Sequence, residues 1–138
     1  MIDKEIIKIA SNTENHGVLD KHTHFSKLKN SICGDDMKVY LIVKDDKIIN
    51  LKYECESWIY CQASVSLLSR NVKNKSLEKI KHFVKQADKS FENNTNSFDK
   101  DWKEFGNIMN KKNISRKECL LLPLKTTLDA LSKKTLWN

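Results

Sequence analysis

At 138 residues the chain has room for one hydrophobic core and not two, so a single domain over 1–138 with one functional site is expected. Hydrophobic residues make up 39% and charged residues 31%, with three glycines and one proline, which excludes a linker-rich or disordered chain. The formal net charge is +7, but lysines alternate with acids along the whole sequence instead of clustering beside stacking aromatics, so a basic nucleic-acid-binding module is the least favoured class. No apolar run reaches the length of a membrane span, and the start Met1-Ile2-Asp3-Lys4-Glu5 lacks the regions of a signal peptide. A cytoplasmic address with no membrane partner follows as an expectation. Thiols stay reduced in that compartment, so the four cysteines read as core residues, metal ligands or reactive thiols rather than disulfides.

Taken in chain order, Ile2, Ile6, Ile7, Ile9 and Ala10 have the spacing of a short amphipathic helix that stops before His16-Gly17. His22 to Lys29 reads as an edge strand, followed by a loop from Asn30 to Asp36 that contains Cys33-Gly34-Asp35. Met37, Val39, Leu41 and Val43 alternate along a second strand, and Asp45-Asp46-Lys47 forms the turn. Ile49, Leu51, Tyr53 and Cys55 then share one face of a third strand, pairing antiparallel with the second and turning Cys55 to the core. Ile59 to Val72, rich in small and apolar residues, reads as a buried helix packed on the sheet. Ser76 caps a further helix whose apolar stripe is Leu77, Ile80, Phe83, Val84, Ala87 and Phe91. Glu92 to Asn113 is polar, and Trp102, Phe105, Ile108 and Met109 are placed to anchor it. The last helix runs through Leu120 to Leu131, with Pro123 expected in its first turn.

Two places can carry chemistry. Cys33 and Asp35 set a thiol and a carboxylate two residues apart around a glycine that lets the backbone bend. Zinc and iron accept both donors, and the harder oxygen is the more easily displaced when a sulfur nucleophile arrives. Cys119 lies before the final helix, where the positive end of the macrodipole is expected to lower its pKa. The alternative for each is a structural role, Cys33 in its loop and Cys119 continuing Leu120-Leu121-Leu122 into the core.

The order Ser31-Ile32-Cys33-Gly34-Asp35-Asp36-Met37, two strands, Ala63-Ser64-Val65-Ser66-Leu67 and then Arg116-Lys117-Glu118-Cys119 resembles the IscU, SufU and NifU N-terminal scaffold family. His16-Gly17-Val18-Leu19 and Lys73-Asn74-Lys75-Ser76-Leu77 belong to the same resemblance, which spans nearly the whole chain. An insertion at about 91–115, and Glu118 where other members have His, make it similar to the SufU branch. The resemblance implies an α+β fold with a small antiparallel three-stranded sheet packed against several helices. It implies a site at which Cys33, Asp35 and Cys119 hold zinc, iron or a transient [2Fe–2S] cluster, with Asp35 as the exchangeable ligand and Cys119 as persulfide acceptor. It also implies a cysteine desulfurase and cluster-receiving client proteins as partners, and a monomer or weak homo-oligomer. The leading function is an iron–sulfur cluster assembly scaffold. The alternative is a zinc-dependent sulfur acceptor, which would be a sulfurtransferase.

The chain departs from the family at Trp58, which stands five residues before Ala63-Ser64, where the family has its middle cysteine. Indole cannot ligate a metal, since its polar group is a donor N–H. Cys55 and Cys61 flank it at equal distance, and Cys61 is the preferred substitute because strand alternation turns Cys55 inward. An altered residue at 58, or a member with weak or absent metal, are the other readings. His22-x-His24 would share a strand face, but a solvated or aromatic-packing role is favoured, His82 is expected to face water, and Trp137 is read as a core or insertion anchor.

Overall fold

The computed structural model describes residues 3–92 and 98–133, and it is an α+β fold. The elements are α1 (Lys4–Ala10), β1 (His24–Lys29), β2 (Asp36–Lys44), β3 (Lys47–Glu56), α2 (Ile59–Asn71), β4 (Lys75–Ser76), α3 (Leu77–Ser90) and α4 (Lys117–Leu131). Two 3-10 helices, Lys100–Asn107 and Lys111–Arg116, lead into α4. Ile2 and Trp137, both named from the sequence, lie outside the described residues.

The sheet is antiparallel in the order β1-β2-β3-β4, so it has four strands where three were expected. The extra strand is two residues long, too short to leave a periodic signal. Lys75 and Ser76 pair with Ile48 and Lys47, after Asn74 turns the chain with a positive φ of 65°. Asp45 and Asp46 both take positive φ, 53° and 59°, the conformation a two-residue hairpin needs to match the strand twist. A bulge between Ile42 and Val43 shifts the register there. It corrects the face assignment at the start of β3: Ile48 is fully buried and Ile49 is 40% exposed, the reverse of unbroken alternation. Beyond the bulge Leu51 and Tyr53 are buried as expected, and Cys55 packs half-buried at the core edge.

The small residues of α2 let neighbouring backbones approach. Ala63, Ser64, Val65, Ser66 and Ser69 are all buried. The hydroxyl of Ser64 donates to the carbonyl of Leu120 at 2.6 Å, and that of Ser66 to the carbonyl of Asn12 at 2.7 Å. The helix therefore packs chiefly between α1 and α4, while α4 lies on β1 and β2. Ser76 caps α3 by accepting from the Lys79 N–H at 3.1 Å, as expected.

The insertion anchors on α3 through aromatic packing. Trp102 stacks on Phe83 at 4.1 Å and 15°, and Phe105 sits 4.7 Å from the same ring. Trp102, Phe105, Ile108 and Met109 are all buried, as read from the sequence. Pro123 is not in the first turn: α4 starts at Lys117, directly after a 3-10 helix, which puts the proline at the seventh position. Its missing N–H leaves the carbonyl of Cys119 without the usual i+4 donor.

Candidate functional site

The loop between β1 and β2 shapes the first half of the site. Asn30 closes it, its N–H donating to the carbonyl of Asp35 at 2.9 Å and its carbonyl accepting from Gly34 N–H at 2.8 Å. The Asn30 side-chain oxygen accepts from the N–H of Ile32 at 2.8 Å. Gly34 takes φ +73°, which a glycine adopts without strain and which turns Cys33 and Asp35 to the same side. The Cys33 thiol donates to Oδ2 of Asp35 at 3.2 Å, and Oδ1 of Asp35 accepts the main-chain N–H of Trp58 at 3.1 Å. Asp35 is 3% exposed, so both of its oxygens are spoken for in a buried setting.

The second half comes from α4, whose third residue is Cys119, 8% exposed. The ligand atoms of Cys33, Asp35 and Cys119 lie within 4.8 Å of one another, and among the described residues they form the one such group of three. Around a tetrahedral zinc with Zn–S near 2.3 Å, donor atoms stand roughly 3.5–3.8 Å apart, so small side-chain adjustments bring these three to a common centre. Two soft thiolates and one hard carboxylate suit zinc or iron, and three donors leave a coordination position open.

The expected lowering of the Cys119 pKa does not hold. Burial pushes the thiol up to about 12, assisted by the hydrogen bond and charge of Cys33 and the charge of Asp35. A helix N-terminus favours thiolate by a modest amount, and here desolvation outweighs it. Burial likewise raises Cys61 and Cys55. The thiol proton of Cys119 must leave when a metal binds there.

Cys61 is fully buried in the first turn of α2. It lies near enough to feel the charges of Asp35 and Cys119, yet it is not in the 4.8 Å group. Cys55 lies on β3 opposite Met37 and lines an open pocket of about 290 Å³ with His16, Asp36 and Glu54. Trp58, 49% exposed, precedes α2 and meets Tyr60 edge-on at 5.5 Å. The guanidinium of Arg116 lies over both rings, 4.7 Å from the Trp58 centroid and 5.2 Å from that of Tyr60. Sequence reading missed this stack; its one local trace is the aromatic pair at 58 and 60.

The histidines stay outside the site. His22 donates its Nδ1–H to the Leu19 carbonyl, 2.6 Å away, and packs against Phe25 and Tyr40. His24 is buried, with Nδ1 2.9 Å from the Thr23 hydroxyl. His82 is largely exposed, 3.7 Å from Asp99.

A four-stranded antiparallel sheet backed by helices, with two cysteines and an aspartate gathered at a loop and a helix start, defines a small thiolate-site α+β protein. Residues 1–97 match the NifU-like N-terminal domain family, and the chain belongs to that family. It is 29% identical over 135 residues to the iron–sulfur cluster assembly scaffold protein IscU of Thermotoga maritima, covering 96% of this chain and 94% of that one. Among solved structures, the putative iron–sulfur cluster assembly scaffold protein for the SUF system from Fervidobacterium islandicum superposes with a TM-score of 0.84 at 26% identity, covering 94% of this chain and 96% of that one. The N-terminal NifU-like protein of Brucella abortus superposes at 0.86 with 20% identity, covering 94% and 91%, a likeness of fold alone. Among the described residues no helix is long and apolar enough to cross a membrane.

Proposed function

We propose that the chain is an iron–sulfur cluster assembly scaffold that takes sulfur from a cysteine desulfurase, assembles a cluster on Cys33, Asp35 and Cys119, and passes it to client proteins. The observation that carries this reading is the convergence of those three ligand atoms within 4.8 Å in a member of this family. In the sulfur step the Cys119 thiolate attacks the outer sulfur of the desulfurase persulfide. A new S–S bond forms on Cys119, and the desulfurase cysteine leaves as thiolate. Reduction of that sulfur to sulfide takes two electrons from an external donor. Asp35 is the ligand that yields, since its oxygen binds soft iron less firmly than the thiolates do. Cluster assembly is tested by anaerobic incubation with ferrous iron, cysteine, a desulfurase and dithiothreitol as the two-electron reductant. Visible charge-transfer bands and passage of the cluster to an apo-ferredoxin support the scaffold; a colourless protein in both the native chain and Trp58→Cys contradicts it.

A second reading, a zinc-dependent sulfur acceptor, is favoured by the insertion docked on α3 and by the likeness to the SUF-system protein. Zinc held by Cys33 and Asp35 would keep nearby thiols deprotonated at neutral pH. Cys119 would then carry the persulfide as a covalent intermediate. Zinc that survives dialysis and a faster desulfurase turnover on adding the chain would favour this reading over the first.

A further inference from the structure

We propose that Arg116, stacked on Trp58 and Tyr60, is a positioning residue that pins the start of α4 to the start of α2 and so holds Cys119 beside Cys33 and Asp35. Arg116 immediately precedes α4, and Cys119 follows one helical turn later. Trp58 immediately precedes α2, and Tyr60 lies in its first turn. The guanidinium sits 4.7 Å and 5.2 Å from the two ring centroids, within the range of a cation–π contact. At its other end Trp58 donates its main-chain N–H to Asp35, and Asp35 accepts from the Cys33 thiol. The contacts therefore close a circuit, from Cys33 through Asp35, Trp58 and Arg116 along one turn of α4 to Cys119.

Two further observations support a positional role. Among the described residues no carboxylate pairs with Arg116, so the rings are the partners that fix its guanidinium. The bond from Ser64 to the Leu120 carbonyl joins the same two helices one step further in. The stack thus governs the outer edge of an interface that stays packed without it. A planar cation over two rings also gives the half-exposed Trp58 a task at a position from which no ligand comes.

The test is per-cysteine labelling of the reduced, metal-free full chain with iodoacetamide, read by peptide mass spectrometry. Arg116→Gln and Trp58→Ala should each raise the Cys119 rate by about 5- to 10-fold, as expected from losing a cation–π contact. Trp58→Phe and Arg116→Lys, which keep a ring or a cation, should stay closer to the unsubstituted rate. Cys61, fully buried in α2, serves as the internal control and should remain unlabelled in every variant. A Cys119 rate in Arg116→Gln within about twofold of the starting chain overturns the proposal, the change being smaller than any worthwhile contact would give. Labelling of Cys61 in step with Cys119 in that variant also overturns it, because the stack would then be holding the whole fold. Should Trp58→Ala loosen the fold, Arg116→Gln decides alone, since it leaves both rings in place. A second arm, cobalt(II) affinity read from thiolate charge-transfer absorption, rests on the metal-site reading and should fall by a similar factor. If the unsubstituted chain shows no such band, that reading fails while the labelling still judges the stack.

Discussion

The main-chain N–H of Trp58 donates to Oδ1 of Asp35 at 3.1 Å, which leaves Oδ2 turned toward the Cys33 thiol. Residue 58 thus serves the site through its backbone as well as through its ring. A carboxylate with one oxygen held by the protein presents the other as a single-point donor, which suits a ligand that has to exchange.

Asp35→Ala removes that donor and leaves the Trp58 N–H without its partner. Bound metal should exchange faster, by at least about tenfold, the usual scale for disturbing a ligand or its support. Stopped-flow transfer to a chelator measures this directly, and an unchanged lifetime would remove Asp35 from the ligand set.

The high Cys119 pKa predicts a shifted reactivity profile. In the metal-free chain its alkylation should keep rising from pH 9 toward about 12 instead of levelling near the free-thiol value. Burial also raises Cys61 and takes Tyr53 to about 12. Each is a group whose folded pKa lies above its unfolded one, so its contribution to stability is complete below the unfolded pKa. That contribution is lost as pH climbs through the folded pKa. Urea midpoints should fall between about pH 9 and 12 for this reason, and a flat profile across that window would contradict the burial of these groups.

The bulge at Ile42/Val43 predicts opposite outcomes at two adjacent residues. Ile48→Ala should lower stability by about 2–5 kcal/mol and Ile49→Ala by less than about 1 kcal/mol, since only the first creates a buried cavity. Chemical denaturation distinguishes them, and a larger loss at Ile49 than at Ile48 would restore the unbroken alternation read from the sequence.

Trp102→Ala removes the ring stacked on Phe83 and should cost about 3–5 kcal/mol. Limited proteolysis should then cut first between Phe98 and Arg116, with α2 and the sheet still protected. Cleavage spread evenly through the chain would show that the insertion has no separate anchor.

The β2–β3 hairpin, the capped α3 and the anchors of the insertion were legible because each rests on local periodicity or a cap, whereas the two-residue β4 left no such signal. Met37, Val39 and Leu41 announce a strand, and Ser76 before Leu77 announces a helix start. The bulge was not legible, since one extra residue exchanges the faces of Ile48 and Ile49 without altering composition. The Cys119 pKa was misread because a helix start is visible in sequence, whereas the desolvation that outweighs it depends on tertiary packing. The group of Cys33, Asp35 and Cys119 was legible through the order of motifs. The Arg116 stack joins residues 58 and 116, and no local pattern links positions that far apart.

The most direct test of the account is the metal content of the chain purified without oxygen, by elemental analysis, beside Cys33→Ser and Trp58→Cys. The account predicts about one zinc or iron per chain, or the iron and sulfide of one cluster, reduced several-fold in Cys33→Ser. A chain free of metal that stays empty in Trp58→Cys would contradict a metal or cluster site built on Cys33, Asp35 and Cys119.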